Sequence, residues 1–175
     1  ASDLFFSEYI EGSSNNKAIE IFNGTGGPVD LSNYWVCLFT NGSITPSNPI
    51  HLTGTLAHLD VYVIANASAN ATILGLADTT STVSFYNGDD ALLLYKKVGT
   101  DSTRIDVIGT IGTDPGTAWN VAGVTNATAE HTLIRKPTIT QGNLDWAISA
   151  GTNADDSEWI VYAQDYTDNL GMHTF

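Results

Sequence analysis

The chain has 175 residues, of which 42% are hydrophobic, and this suits one globular domain with a substantial core. Its 19 acidic and 6 basic residues give a formal net charge of −13, which opposes direct nucleic-acid binding by this chain and favours cations, calcium included. The single cysteine excludes an internal disulfide, and no apolar run of about 18 residues is present that would span a membrane.

Apolar residues alternate with a period of two through most of the chain, and this pattern predicts β-strands. In the first part of the chain we expect strands at residues 4–10, 18–23, 34–40, 50–52 and 61–65. Gly, Ser and Asn at 12–16 predict a turn between the first two strands. Leu31 lies in a second turn and is expected to fill the core. The apolar run 61–65 predicts a strand that is covered on both faces.

The second part of the chain begins with a segment that predicts either a short helix near 73–77 or an ordered loop. Asn87 and Gly88 separate two strand-like runs, 83–86 and 91–95, and so predict a hairpin. Further strands are expected at 103–109 and 132–136. The remaining residues after about 110 are rich in glycine, turns and tryptophan, which indicates loops pinned to the body of the fold.

Together these elements amount to about nine or ten short strands, with turn signals every eight to twelve residues. We therefore predict an all-β fold, an immunoglobulin-like antiparallel β-sandwich with a loop-rich C-terminal extension. The chain is expected to form a single domain over residues 1–175, with a core at about 1–110 and an extension packed on it at about 110–175. No internal repeat supports a propeller or a solenoid.

Several segments form recognisable motifs. The opening carries EYIEG (8–12), SNNKAIEIFN (14–23) and VDLSNY (29–34), and NGDDALLL (87–94) follows later. Short pieces near the end include NLDW (143–146) and NLGMHTF (169–175). The opening motifs resemble the bacterial lamin tail domain family, residues 87–94 fit a later hairpin of that family, and the end pieces are similar to its extended bacterial version. The resemblance implies an immunoglobulin-like sandwich, secretion, and an accessory or binding role beside extracellular nucleases, phosphatases or surface-anchored proteins. It implies no catalytic residues.

Three charged residues of the opening segment are expected to lie together. Glu8 and Glu20 fall on the first two strands, and pairing of these strands would place both carboxylates on one side, near Lys17. Such a cluster forms either a polar or cation-binding site or a structural group. We favour the structural interpretation, because buried carboxylates are generally paired.

Calcium is the one cofactor that the composition suggests, since it prefers carboxylate, carbonyl and amide oxygens in irregular loops. Asp89 and Asp90 are the first candidates, because adjacent carboxylates repel each other unless a cation is near. The alternative is ordinary turn chemistry. No EF-hand spacing or calcium repeat is present, and the scattered histidines provide no zinc site.

The sequence contains no motif for catalysis. There is no Gly-x-Ser-x-Gly sequence and no phosphate-binding loop, and Cys37 lies in the middle of a predicted strand, where burial keeps a thiol inert. We therefore predict that the chain is not an enzyme.

Aromatic residues of the extension offer a second kind of site. Flat rings stack on sugars, so the following residues are candidates to face a ligand: Trp119, Trp146, Trp159 and Tyr166. The interpretation that we favour is that they anchor the extension to the body of the domain.

The leading hypothesis is a non-catalytic extracellular accessory or binding module of a larger secreted or surface protein, from a bacterium. Its partners would be neighbouring domains, cell-surface or matrix components, or carbohydrate. The composition, rich in Thr, Ser, Asn, Gly and Ala, is that of an exported β-protein. The alternative is a calcium-dependent carbohydrate-binding domain, and a third hypothesis is a small secreted metal-dependent hydrolase or nuclease.

Overall fold

The computed structural model describes residues 1–175 as two stacked β-sheets with little helix. The strands are β1 (Phe5–Glu11), β2 (Lys17–Phe22), β3 (Val29–Asp30), β4 (Tyr34–Phe39), β5 (Ser47–His51), β6 (Thr55–Leu56), β7 (Val61–Ala65), β8 (Thr79–Thr80), β9 (Ala91–Val98), β10 (Asp101–Ile108), β11 (His131–Arg135) and β12 (Trp159–Tyr162). The helices are α1 (Ala71–Leu76) and α2 (Trp146–Ala150), with short 3₁₀ turns at Leu31–Asn33 and Thr82–Ser84.

Two sheets form the sandwich, and a small third sheet pairs β3 with β6. The large sheet has six strands in the order β12-β11-β1-β2-β7-β8, and the small sheet has four in the order β10-β9-β4-β5. All neighbouring strands are antiparallel except β7 and β8. The antiparallel sandwich predicted from the alternating pattern is therefore confirmed.

Alternation along β1 and β2 divides the large sheet into two buried faces. Phe6 and Ile19 point to the inner face and join the core between the sheets, which also contains Leu31 as expected. Phe5 and Phe22 point to the outer face, where a second cluster packs under α1 and the C-terminal segment. The large sheet is thus covered on both sides, which explains why both opening strands are buried along their whole length.

The hairpin predicted at Asn87 and Gly88 is wrong. Residues Thr82–Ser84 form a 3₁₀ turn, and Tyr86 enters the core, where its hydroxyl donates to the carbonyls of Ile10 and Ala18 at 2.9 and 2.8 Å. Gly88 has φ +98°, so the turn itself exists. The hairpin of this region lies further on, where a tight turn after Val98 joins β9 to β10.

The C-terminal extension contributes strands as well as loops. β11 pairs with β1 and β12 pairs with β11, so the extension completes the large sheet beside the first strand. The sequence predicted β11 but assigned neither β12 nor α2. α2 is capped at its start by Asp145, whose carboxylate accepts a hydrogen bond from the Ile148 amide, and at its end by Gly151.

The short helix expected near 73–77 lies at Ala71–Leu76 and begins after Asn70, whose side chain accepts from the Ile73 amide. Neither helix has the length and the apolar character needed to cross a bilayer.

Candidate functional site

Glu8 and Glu20 are directly opposite each other on β1 and β2, and both are fully buried on the outer face of the large sheet. Glu20 accepts hydrogen bonds from the Ser7 hydroxyl at 2.6 Å and from the Gly171 amide at 2.8 Å. Glu8 accepts one from the Asn169 side chain at 3.2 Å, and its second oxygen has no partner. The pair is therefore a closed polar group, held by the chain itself.

Burial makes both carboxyl groups weaker acids than exposed glutamates. It raises the pKa of Glu8 to about 8, helped by the adjacent Glu20. It also raises the pKa of Glu20 to about 7. At neutral pH at least one of the two groups therefore carries a proton, which reduces the cost of placing two acids side by side.

Lys17 was expected to lie near the two glutamates, but it does not. It lies three residues before Glu20, an odd spacing, so the pleat of β2 sends its side chain to the opposite face of the sheet. There its ammonium lies 3.7 Å from the Glu11 carboxylate and donates to the Asn87 side chain at 2.7 Å. Lys17 is therefore a separate structural contact.

The last thirteen residues, 163–175, form a strap that closes the outer face over Glu8 and Glu20. The Asp165 carboxylate accepts from the amide and the hydroxyl of Ser13, at 2.9 and 2.6 Å. Leu170 enters the outer apolar cluster, and His173 lies against the rings of Phe5 and Phe22. Burial lowers the pKa of His173 to about 4, so this ring stays neutral and apolar in character.

A buried group of three charges ties the two sheets together at their edge. The Arg135 guanidinium of β11 is ion-paired to Asp106 of β10 and to Glu158. Asp106 also accepts from the amides of Phe6 and Asn143, both at 2.9 Å. The guanidinium bridges the two carboxylates, and backbone amides occupy the Asp106 oxygens, so the group forms a structural clamp.

Asp89 and Asp90 lie in a turn beside the core. Asp90 is almost fully buried, and its two oxygens accept from the amides of Asn41 and Asn87, both at 3.0 Å. Burial and the adjacent Asp90 raise the pKa of Asp89. No group of three or more His, Cys, Asp or Glu side chains in the chain is placed to hold a metal ion. Calcium binding stays a prediction, without a preformed carboxylate site.

The four aromatic candidates of the extension do not form a platform. Trp146 and Trp159 are core residues, and the Trp159 indole donates to the Ser149 hydroxyl at 2.9 Å. Of the two, only Trp146 also lines a surface groove, the one beside Arg104 described below. Trp119 is half-buried against the Asp90 carbonyl. Tyr166 is half-buried and stacks on Tyr162 with ring centroids 4.4 Å apart. Most of this aromatic surface is used to attach the extension.

Cys37 is buried on β4, as predicted from its place in a strand. Burial raises the pKa of its thiol to about 11. The thiol therefore stays protonated and is a poor nucleophile.

A different row of rings crosses the outer face of the small sheet, and sequence reasoning missed it. Trp35 of β4 is directly opposite His51 of β5 on one side and Tyr95 of β9 on the other. The Trp35 ring stacks on His51 with centroids 4.0 Å apart and on Tyr95 with centroids 5.8 Å apart. His51 is held in place because its Nε2 donates to the Ser32 carbonyl at 2.5 Å. We call these three residues the ring row.

Two cations extend the ring row. The Lys97 ammonium lies 5.5 Å from the centroid of the Trp35 ring, and Arg104 of β10 is directly opposite Tyr95. The other four basic side chains are partnered within the chain, by carboxylates or by backbone carbonyls: Lys17, Lys96, Arg135 and Lys136. Lys97 and Arg104, both exposed, are thus the two cations that have no acidic or hydrogen-bonded partner. The ring row, Lys97 and Arg104 together form what we call the basic-aromatic face.

A groove of about 600 Å³ adjoins this face at Arg104. Its apolar wall consists of side chains such as Val107, Ile111 and Leu144, and Asp145 lies at its polar rim. The groove therefore adds an apolar cavity to the rings and the two exposed cations of the basic-aromatic face.

Comparisons with known proteins agree with this architecture. A family model described as Lamin Tail Domain matches residues 1–112, which contain β1 to β10 and the whole ring row. A solved structure of a DUF4876 family protein from Bacteroides thetaiotaomicron VPI-5482 is similar in fold, with a TM-score of 0.56 and 11% sequence identity. That similarity covers 98% of this chain and 74% of the other. No curated protein matches the chain.

Proposed function

The chain belongs to the lamin tail domain family, and we propose that it is a non-catalytic extracellular accessory module of a larger secreted or surface protein in a bacterium. Its work is to position or attach that protein by binding a surface component. Membership of an immunoglobulin-like family supports a non-catalytic domain.

The burial of three carboxylates also supports a non-catalytic domain. Glu8, Glu20 and Asp106 are fully buried, and amides, hydroxyls or a guanidinium from the chain itself occupy their oxygens, except for one Glu8 oxygen that is buried without a partner. A general acid or base must reach the proton that it transfers, directly or through one water. These groups are cut off from solvent by packing and by the strap, so they hold the fold together.

The observation that carries the binding role is the basic-aromatic face. Lys97 and Arg104 are exposed, have no acidic or hydrogen-bonded partner, and lie beside a row of rings of which His51 is exposed and Trp35 and Tyr95 are half-buried, in a chain with a net charge of −13. Exposed aromatic and cationic side chains grouped on a flat sheet are typical of a surface that recognises another molecule.

The proposal has a direct test on source cells. An antibody against the chain is used to blot culture medium, surface extract and cytoplasm, and the purified, fluorescently labelled chain is added to intact cells. We expect the protein in the medium or the surface extract, and saturable retention of the labelled chain on cells. Confinement to the cytoplasm, or no retention, would contradict the proposal.

The non-catalytic part is tested separately on the purified chain. We expect no turnover of glycoside, phosphoester or DNA substrates in the presence of Mg²⁺, Ca²⁺ or Zn²⁺. Turnover that survives further purification and disappears in a point variant of the chain would show that the domain is an enzyme.

A further inference from the structure

We propose that the basic-aromatic face binds a linear acidic polysaccharide through its carboxylate groups. This inference rests on the proposed function and names the ligand class for the face that carries it. Three features of the molecule indicate this ligand class: the hydrogen-bonding groups of the face, the arrangement of its cations, and the charge of the rest of the chain.

The free polar groups of this face are chiefly donors. The Trp35 indole N–H and the Tyr95 hydroxyl make no hydrogen bond within the chain, whereas the indole of Trp159 and the hydroxyl of Tyr86 each have an internal partner. Lysine, arginine and indole side chains donate and cannot accept. A matching ligand must therefore supply acceptors and negative charge, as a carboxylate-bearing sugar chain does.

The register of the sheet spaces the two cations for an extended ligand. Lys97 is directly opposite Ser102, and Arg104 lies two residues further along β10, on the same face. Diagonal neighbours of this kind lie about 7–8 Å apart. A linear chain with acidic groups on its sugar units can therefore present one carboxylate to each cation, while its hydroxyls accept from Trp35 and Tyr95.

The net charge of −13 favours a narrow ligand. At physiological ionic strength, charges more than about 8 Å away are largely screened. A thin chain that follows the face is therefore affected mainly by Lys97, Arg104 and the adjacent Asp145, and little by the distant acidic loops. A folded acidic protein would need an interface of about 800 Å² on each side, and so would also meet those loops.

The ring row itself argues against single-stranded nucleic acid. Bases stack on free ring faces. Both faces of the Trp35 ring are covered, by His51 on one side and by Tyr95 on the other, so Trp35 presents its edge and only the two ends of the row keep an open ring face. Edges with N–H and O–H groups suit the hydroxyls and carboxylates of a sugar chain.

The test measures binding of polygalacturonate to the purified chain by isothermal titration calorimetry, with neutral dextran as the uncharged polymer. Two double variants are compared, and each lowers the net charge by two. Lys97→Gln with Arg104→Gln changes the face, whereas Lys96→Gln with Lys136→Gln removes two partnered cations that do not belong to it. We expect the first to weaken binding at least about tenfold and the second to change it by less than about twofold.

Further results would support or overturn the proposal. Dextran should not bind, and added NaCl should weaken polygalacturonate binding. The proposal fails if the wild-type chain does not bind polygalacturonate, if both double variants lose affinity equally, or if polyglutamate or oligo(dT) binds more tightly than the sugar polymer. Retention on source cells that persists after such a failure would leave the proposed function standing and remove only the ligand class.

Discussion

At the scale of single residues, the alternation of side chains along a strand decides which environment each charge meets. Glu20 and Lys17 are three residues apart on β2, yet Glu20 is sealed beside Glu8 on the outer face, while Lys17 reaches Glu11 on the other face. The sequence correctly predicted that Glu8 and Glu20 share a face. The prediction for Lys17 was wrong because it considered only that Lys17 is near Glu20 in sequence. The odd spacing between the two residues places their side chains on opposite faces of the strand.

The buried glutamates should make the stability of the domain depend on pH. A carboxyl group whose pKa is raised by folding binds its proton more tightly in the native state than in the unfolded state. Its contribution is therefore complete below about pH 4.5 and is lost as the pH rises towards about 8, the pKa of Glu8. We expect the free energy of unfolding to fall between pH 5 and 8.5, as measured by urea titration.

The variant Glu8→Gln isolates this effect, because the amide retains an acceptor for Asn169 and cannot ionise. We expect it to be more stable than wild type at pH 8.5, by about 1–3 kcal/mol, with the difference shrinking towards pH 5. Glu130→Gln, on the surface, is the control and should follow the wild-type profile. Parallel profiles for Glu8→Gln and wild type would show that ionisation of Glu8 is not responsible.

Tyr86 provides a second test at this scale. Its hydroxyl donates to two backbone carbonyls in the core, so Tyr86→Phe should lower the free energy of unfolding by about 1–3 kcal/mol. Tyr95→Phe removes a hydroxyl that has no partner within the chain and should cost less than about 0.5 kcal/mol. Equal effects in chemical denaturation would mean that Tyr86 acts only through its ring.

At the scale of elements, local patterns predicted strands better than they predicted partners. Asn87 and Gly88 gave a correct signal for a turn, but a turn of this type does not specify that both flanks are strands. The residue just before the turn, Tyr86, is buried in the core. That outcome depends on the carbonyls of Ile10 and Ala18, more than sixty residues away, and so lies outside any local pattern.

The same limit explains why the binding face was missed. The alternation in β4 shows that Trp35 and Val36 face opposite sides, and this could be read from the chain. Alignment of Trp35 with Tyr95 and His51 requires the register of three strands that are distant in sequence. The rings of the extension were predicted as ligand candidates because they cluster in sequence, yet Trp146 and Trp159 belong to the core.

The strap can be tested as an element through one buried and one exposed residue. Leu170 is buried in the outer cluster, so Leu170→Ala should destabilise the domain by about 2–4 kcal/mol. Met172, two residues further on, is 59% exposed, and Met172→Ala should change the free energy of unfolding by less than about 0.5 kcal/mol. Comparable urea midpoints for the two variants would indicate that the strap does not pack on the sheet in solution.

At the scale of the whole molecule, the two sheets have different surroundings. The large sheet is enclosed by the small sheet on one side and by α1 and the strap on the other, and its polar groups are therefore structural. The small sheet keeps part of its outer face open, at Trp35, Tyr95, Lys97 and Arg104. The two cations without acidic partners and the aromatic hydrogen-bond donors thus lie on one face, and we therefore place binding there.

The charge of the whole molecule leads to a last prediction, on salt. With a net charge of −13, the folded chain repels itself, and raising NaCl from about 0.01 to 0.15 M shortens the Debye length from about 30 to 8 Å. We expect the melting temperature to rise by about 2–4 °C, as for a gain of about 1 kcal/mol in a domain of this size. CaCl₂ at matched ionic strength should have the same effect if screening alone acts. A larger rise with CaCl₂ that Asp89→Asn abolishes would instead identify the calcium site predicted from the sequence, whereas a melting temperature that falls with NaCl would contradict self-repulsion.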